Sequence, residues 1–285
     1  MHPGFFMLEK ELLEHKIVTR LPLFLLLMGL VILAAIVFNT HSFDNISVQF
    51  NYQGDMSQRS VDVTQGIRGM LSLGAGAVSL LLSTLYLAKT FRKERQEGSL
   101  MFWRSMPVSE GLTHTVKLGF ALILIPLICS FLVLCGELFF YLISFTQSPH
   151  LMAILGDISF ATVALNWLMF IAKMVLISLA MLPVACLLLA VSQLVNYPLL
   201  AVTLGVYTVK LFSTYLFAFD GVATFIGAIS SMPLALLTSA QPLAVFAQVG
   251  WFSCLLAYLL GALCLMLSLS IRKYGELDIR ALFSR

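Results

Sequence analysis

The chain has 285 residues, of which 60% are hydrophobic and 11% charged, and its formal net charge is +3 at pH 7. So few charged side chains could not solvate the surface of an ordinary globular domain, which excludes that class and a nucleic-acid partner. The five cysteines all lie in apolar stretches, so we expect buried thiols rather than disulfides or metal ligands. The first apolar stretch lacks a small-residue cleavage site and predicts a retained span.

Residues 1–20 predict an amphipathic helix that lies along the inner membrane surface. Its apolar residues recur on one stripe, formed by Leu8, Leu12, Leu13 and Ile17. Glu11 and His15 are four residues apart, a spacing that a catalytic or metal pair could use. The chain has no His-Glu-x-x-His sequence and no third ligand nearby, so we expect Glu11 and His15 to belong to a solvated helix face.

Six apolar stretches each reach or approach the roughly 20 residues that cross about 30 Å of hydrocarbon. They are residues 21–38, 69–88, 116–145, 160–194, 199–219 and 251–271. With a cytoplasmic amino terminus, thirteen of the 17 basic residues lie on the inner side and only Arg59 and Arg68 on the outer side. This asymmetry predicts six spans, with both termini and the tail 272–285 in the cytoplasm.

Residues 40–67 form the first outer loop, and their alternation predicts a small β-hairpin with a tight turn at Gly54 and Asp55. The alternating apolar residues are Ile46, Val48, Phe50 and Tyr52, followed by Val61 and Val63. We expect this hairpin to be a lid over the helix ends, since isolated hairpins are marginally stable. A docking edge for a partner or a sister subunit is the alternative.

Residues 221–248 are apolar and uncharged, but Gly227, Pro233 and Pro242 interrupt them. Counting them as a seventh span would move the basic tail outside and weaken the charge asymmetry. We therefore expect one or two re-entrant or interfacial helices on the outer side. The whole chain, 1–285, is then a single transmembrane domain.

The inner loop 89–117 is the most charged part of the chain. Lys89–Glu97 predicts a charged helix that continues the second span, Gly98 ends it, and Ser109 is placed to cap the next helix. Between them lies a short apolar segment with Phe102 and Trp103, which Pro107 ends. This segment could anchor in the lipid headgroups or insert into a cytoplasmic partner, and the pattern alone leaves both open.

Two stretches of this loop carry a resemblance to a known family. They read Glu94-Arg95-Gln96-Glu97-Gly98-Ser99-Leu100 and Ser105-Met106-Pro107-Val108-Ser109. The sequence resembles the first cytoplasmic loop of ABC-2-type permeases, the transmembrane subunits of ABC transporters. An amphipathic amino-terminal helix, six spans and outer re-entrant helices before the last span are similar to that family as well.

The resemblance implies that the loop is a coupling helix seated on a cytoplasmic ABC ATPase. The residues that would carry this contact are Glu94, Glu97, Gly98, Leu100, Phe102, Trp103 and Pro107. The resemblance also implies a permease homodimer (or a pair with a related permease) in the cell (inner) membrane. The chain has no P-loop sequence, so we expect it to be non-catalytic and without a cofactor, with ATP and Mg²⁺ on the partner ATPase.

Three ionisable residues lie inside the apolar stretches: Glu137, Lys173 and Lys210. Glu137 and Lys173 are each about 30 Å along their helices from the inner face, so we expect them to pair. Lys210 is about 18 Å along and is expected to face a cavity between spans or subunits. The pair could be a folding staple, which we favour, or line a substrate path.

These intramembrane charges support an alternative function, a proton-coupled secondary transporter that uses Glu137 and the two lysines. An intramembrane enzyme is disfavoured, because the spans contain no paired catalytic carboxylates, no His cluster and no Ser–His arrangement.

Overall fold

A computed structural model of the chain describes residues 3–38, 56–96, 109–144, 159–215 and 220–274. The helices are α1 (Pro3–Glu14), α2 (Ile17–Phe38), α3 (Met56–Gln96), α4 (Glu110–Gly119), a π-helical turn (Phe120–Leu124), α5 (Ile125–Ser144), α6 (Phe160–Leu194), α7 (Pro198–Tyr215), α8 (Asp220–Thr238), α9 (Pro242–Val249) and α10 (Trp251–Tyr274). None of the described residues forms a strand.

Five described segments are long and apolar enough to cross a bilayer, and a sixth is added if α1 and α2, bent by 59°, count as one span. These lengths and compositions confirm an all-α, multi-pass membrane protein. The five segments are Gly66–Glu94, Glu110–Leu142, Phe160–Leu194, Asp220–Thr238 and Trp251–Arg272.

The structure differs from the predicted span map around residues 198–249. Helix α7 is described only to Tyr215, and the last residues of the predicted fifth span, 216–219, lie outside the described residues; this described part is not among the five apolar segments, whereas α8, predicted as re-entrant, is. The described part of α7 carries Lys210 within the helix and several Thr, Ser and Tyr side chains, while the charge of α8, Asp220, lies in its first turn.

The second strand of the predicted hairpin is wrong. Val61 and Val63 lie within the helix α3, which begins at Met56. Extending an existing helix adds one hydrogen bond per residue fixed, whereas an unpaired strand gains none. The first strand and the turn, residues 46–55, lie outside the described residues.

The chain divides into two compact units, and each takes several separate stretches of sequence. The first unit contains residues 1–15, 80–125 and 175–285, and the second contains residues 16–79 and 126–174. Helices α3 and α6 each contribute residues to both units.

The π-helical turn lies in the first unit, and its carbonyl groups are satisfied by serines from neighbouring helices. Ser83 Oγ donates to the Ala121 carbonyl at 2.7 Å, and Ser178 Oγ donates to the Leu122 carbonyl at 2.5 Å. A π-turn disturbs the regular helical hydrogen bonds, and lipid offers no replacement partners. These two serines therefore make the irregular turn tolerable inside a span.

Helices α6 and α10 approach each other closely where Gly261 faces Pro183. A Cβ atom on Gly261 would lie 2.9 Å from Pro183 Cα, which is backbone. Small residues allow such close packing between membrane helices.

We predict that Gly261→Ala lowers the free energy of unfolding by roughly 1–3 kcal/mol, because the added methyl group forces the two backbones apart. The matched control is Gly205→Ala in α7, where nothing lies within 4 Å of the new Cβ. That variant should be neutral or up to about 1 kcal/mol more stable, since Ala is the better helix former. Thermal melting of the detergent-solubilised proteins compares the two, and equal effects would contradict the close packing.

Candidate functional site

Four charged side chains from four helices meet in the interior of the first unit. They are Glu11 of α1, Glu94 of α3, Lys117 of α4 and Arg272 of α10, and we call them the charge cluster. Their exposed fractions are only 2%, 4%, 1% and 6%. Fully buried charges are rare unless paired, so this concentration marks the candidate site.

Lys117 lies at the centre of the charge cluster. Its Nζ is 2.6 Å from Glu11 Oε1 and 3.0 Å from Glu94 Oε1, and it donates to Thr90 Oγ1 at 2.6 Å. All three ammonium protons therefore have an acceptor within reach. Helix α4 positions this side chain and starts at a regular cap, where Ser109 Oγ accepts a hydrogen bond from the Leu112 amide, as predicted for Ser109.

Arg272 connects the last helix to the same carboxylates. Its Nη1 is 3.3 Å from Glu94 Oε2, and its Nε is ion-paired with Glu110 at the start of α4. Glu94 also has Lys10 of α1 at 3.5 Å. Glu94 thus bridges α3 to three other helices.

The ring of Phe91 lies beside both cations of the cluster. Lys117 Nζ is 5.0 Å and Arg272 Cζ 4.8 Å from the ring centroid. An aromatic face attracts cations, and each such contact contributes about 0.5–2 kcal/mol depending on desolvation. Phe91 thereby covers the cluster with an apolar surface that still stabilises positive charge.

The charges of the cluster balance, since two buried carboxylates face two buried cations. Desolvating four ions is costly, and their mutual attraction offsets that cost only when each keeps its partner. The arrangement therefore joins α1, α3, α4 and α10 through paired buried charges. Among the described residues, no group of three His, Cys, Asp or Glu is placed to hold a metal ion.

Glu11 also joins an aromatic pair next to the cluster. Tyr86 Oη donates to Glu11 Oε2 at 2.8 Å, and the His15 ring packs edge-on against Tyr86 at 4.7 Å. His15 lies in the break between α1 and α2, and burial lowers its pKa to about 4, although Glu11 at 3.6 Å favours the protonated ring. Nearby Lys117, Lys93 and Lys10 lower this pKa further, so His15 is neutral at pH 7.

A second set of buried polar side chains links α4, α6 and α10 in the same unit. His114 Nδ1 is 2.9 Å from the Glu110 carbonyl, and its Nε2 is 2.8 Å from Ser268 Oγ. Because a carbonyl only accepts, Nδ1 carries the proton, and Nε2 then accepts from Ser268. Gln193 Nε2 donates to Ser268 Oγ at 2.8 Å. His114, Ser268 and Gln193 thus form a chain of hydrogen bonds that satisfies their polar groups, and they do not form an exposed catalytic pair.

The structure places one predicted coupling residue, Glu94, inside the charge cluster and not on a docking surface. The remaining predicted coupling residues, Glu97, Gly98, Leu100, Phe102, Trp103 and Pro107, lie outside the described residues. The expectation of a solvated face at Glu11 and His15 is wrong, because both side chains are at most 9% exposed. Their partners Tyr86 and Lys117 come from distant parts of the sequence and enclose them.

Glu137 is buried in the second unit, but its partner differs from the predicted one. Its carboxylate is 3.3 Å from Arg68 Nε and accepts from Asn166 Nδ2 at 3.4 Å. Lys173, half-buried, makes no ion pair with any residue the structure describes. The depth argument failed because it ignored Arg68, which was assigned to a loop but lies on the long helix α3.

Sequence reasoning missed Glu11, Lys117 and Arg272 as site residues. Lys117 and Arg272 were counted only as basic charges on the inner side, and Glu11 was assigned to a solvated helix face. One feature of the sequence could have identified them: residues 11, 94, 117 and 272 carry opposite charges and lie at the same predicted membrane depth. Comparisons with protein-family models, with curated proteins and with solved structures give no match to this chain.

We predict that Lys117→Met lowers the free energy of unfolding by roughly 3–5 kcal/mol, because it leaves two buried carboxylates without their central cation. Adding Glu11→Gln to that variant should restore part of the loss. The control is Lys89→Met on α3, whose side chain is exposed, with an expected change within about 0.5 kcal/mol. Thermal melting measures all three, and a Lys117→Met protein as stable as the control would contradict the central role of Lys117.

We also predict that His15 makes the folded protein less stable in acid. Its folded pKa of about 4 is below the 6.5 of a free imidazole, so the unfolded chain binds more protons between these values. The stability linked to neutral His15 is complete above pH 6.5 and is lost as the pH falls toward 4. Melting temperatures at about pH 7.5 and about pH 4.5 should therefore differ less in His15→Gln than in the native protein. An unchanged difference would contradict a buried neutral ring.

Proposed function

We propose that the chain is the transmembrane permease subunit of an ATP-driven ABC exporter, worked by a separate cytoplasmic ATPase. The support is the sequence of the loop between α3 and α4, which resembles the coupling loop of ABC-2-type permeases. The multi-pass helical architecture suits such a subunit. We propose that both termini and this loop are cytoplasmic, that two permease chains assemble, and that they lie in the cell (inner) membrane.

The charge cluster is the observation that carries this proposal. Helix α3 ends at Gln96, two residues after Glu94, and α4 begins at Glu110, which pairs with Arg272. The helices on both sides of the loop are therefore held to each other and to α1 and α10 by buried ion pairs. Networks of this kind transmit displacement between sites because they move as a connected body.

In the proposed mechanism, ATP binding draws two ATPase subunits together and displaces the coupling segment 100–106. The ion pairs carry that displacement into α3 and α4, and the spans shift between inward-open and outward-open arrangements. ATP and Mg²⁺ belong to the partner, because this chain has no P-loop sequence. A lipid, glycan, peptide or drug-like molecule is the proposed cargo class.

A proton-coupled secondary transporter has less support. Glu137, the carboxyl group that this alternative would use, is paired with Arg68 and accepts a hydrogen bond from Asn166. Lys210 is exposed on α7 and makes no ion pair with the described residues. Transport by membrane vesicles that persists without ATP would favour this alternative.

We predict that Trp103→Glu abolishes co-purification with the cytoplasmic ATPase, because a carboxylate replaces the apolar anchor proposed to enter the ATPase cleft. Gly98→Leu should weaken co-purification as well, since Gly98 is proposed to end the helix before that anchor. The matched control is Trp251→Glu at the start of α10, a residue that is 75% exposed. It should keep the ATPase bound.

The measurement is affinity purification of the tagged chain from its native cells, with the ratio of co-purified ABC ATPase to tagged chain quantified. Equal ATPase recovery from native, Trp103→Glu and Gly98→Leu proteins would overturn the proposed coupling contact.

A further inference from the structure

An apolar groove runs along the second unit between α2, α3 and α5. Its volume is about 460 Å³, within the roughly 300–1,000 Å³ typical of small-molecule sites. Every lining residue is an apolar residue, a glycine or Cys135. Glycines from two of the helices, Gly29 and Gly74, leave room in the groove, whereas Gly136 of α5 packs against Leu71.

The groove opens to the outside of the unit. Met70 and Ile32 line it and are 77% and 56% exposed, so it is not a sealed cavity. Helix α3 lies here within the span Gly66–Glu94, and α5 within Glu110–Leu142. The surroundings of the opening are therefore the hydrocarbon of the bilayer.

An empty groove of this size would be unfavourable. Its walls would lose their van der Waals contacts, and water does not fill a space without polar partners. The lining offers no hydrogen-bonding side chain apart from the weak Cys135 thiol, which excludes a sugar or a peptide backbone as the occupant. A hydrocarbon chain satisfies all of these conditions.

Arg68, which is paired with Glu137, lies one helical turn beyond the groove on the same helix. Arg68, Leu71 and Ala75 share one face of α3, and the last two line the groove, since residues three and four apart are neighbours on a helix. The Arg68 side chain remains 15% exposed, and its Nη2 has no hydrogen-bond partner within the described part of the chain. An amphiphile with a phosphate next to its apolar tail matches this arrangement.

We propose that the groove is a binding site for an acyl chain of a phospholipid from the surrounding bilayer, with the phosphate near Arg68. The site is independent of the proposed coupling to an ATPase. Its occupant fills the space beside Gly29 and Gly74 and joins α2, α3 and α5.

The test uses the purified full-length chain in nanodiscs of phosphatidylcholine, a small part of which carries a diazirine on one acyl chain. After illumination, mass spectrometry should find the labelled sites concentrated in residues 70–78 and 132–140. Gly74→Leu should reduce this labelling about tenfold, because the new side chain takes the place of at least two methylene groups of the ligand. A Cβ on Gly74 meets nothing within 4 Å, so the substitution fits the fold.

The matched control is Gly69→Leu on the same helix, which also meets nothing within 4 Å and does not line the groove. It should leave the labelling unchanged. Gly29→Leu fills the groove from α2 and should repeat the loss if Gly74→Leu proves too unstable to purify. The proposal is overturned if folded Gly74→Leu or Gly29→Leu labels like the native protein. Equal labelling of the groove and of exposed α10 leucines such as Leu255 and Leu259 in the native protein would also overturn it.

Discussion

The ammonium group of Lys117, held between the carboxylates of Glu11 and Glu94, is the interaction on which the arrangement of the first unit depends. Four helices converge on it: α1, α3, α4 and, through Glu94, α10. Apolar side chains alone would not fix these helices, because lipid tails are as apolar as Leu and give little preference for protein contact. Buried ions differ, since each must keep its partner wherever the helix lies. The cluster therefore sets the positions of helices that hydrophobic burial leaves undetermined.

Helix α1 shows how this constraint reverses the usual orientation of an amphipathic helix. Glu11 and His15 point into the protein, whereas Phe5, Phe6 and Leu13 are 62%, 55% and 62% exposed. In water that arrangement would be unfavourable, but apolar side chains are stable against a membrane surface. The charged face finds Lys117 and Tyr86 in the protein, and the apolar face is left for lipid. Both faces are satisfied only when the helix lies between the bundle and the membrane.

The sequence predicted the class of fold, because apolar length follows from the bilayer itself, whereas the amphipathic helix predicted for residues 1–20 is broken between Glu14 and Ile17. It did not predict the pairing of charges. Glu137 was assigned to Lys173 by depth, yet Arg68 reaches it because α3 extends to Met56 through residues with a strand-like alternation. Glu11 was assigned to solvent because local periodicity does not show which helix will cover it. Helix extension and tertiary partners are properties of the packed chain, so short windows of sequence contain little information on either.

A buried cation shared by two carboxylates also differs from a simple pair in how it responds to force. Lys117 Nζ is 2.6 Å from Glu11 and 3.0 Å from Glu94, while Glu94 has Arg272 and Lys10 as further partners. A small sliding of α3 against α1 would lengthen one contact of Lys117 and shorten the other, and Glu94 would remain paired throughout. Exchanging one partner for another costs less free energy than breaking an isolated buried pair, because breaking that pair leaves two buried ions without a partner. A joint of this kind can hold α1, α3, α4 and α10 together in more than one arrangement, which suits the proposed transmission of displacement from the loop between α3 and α4.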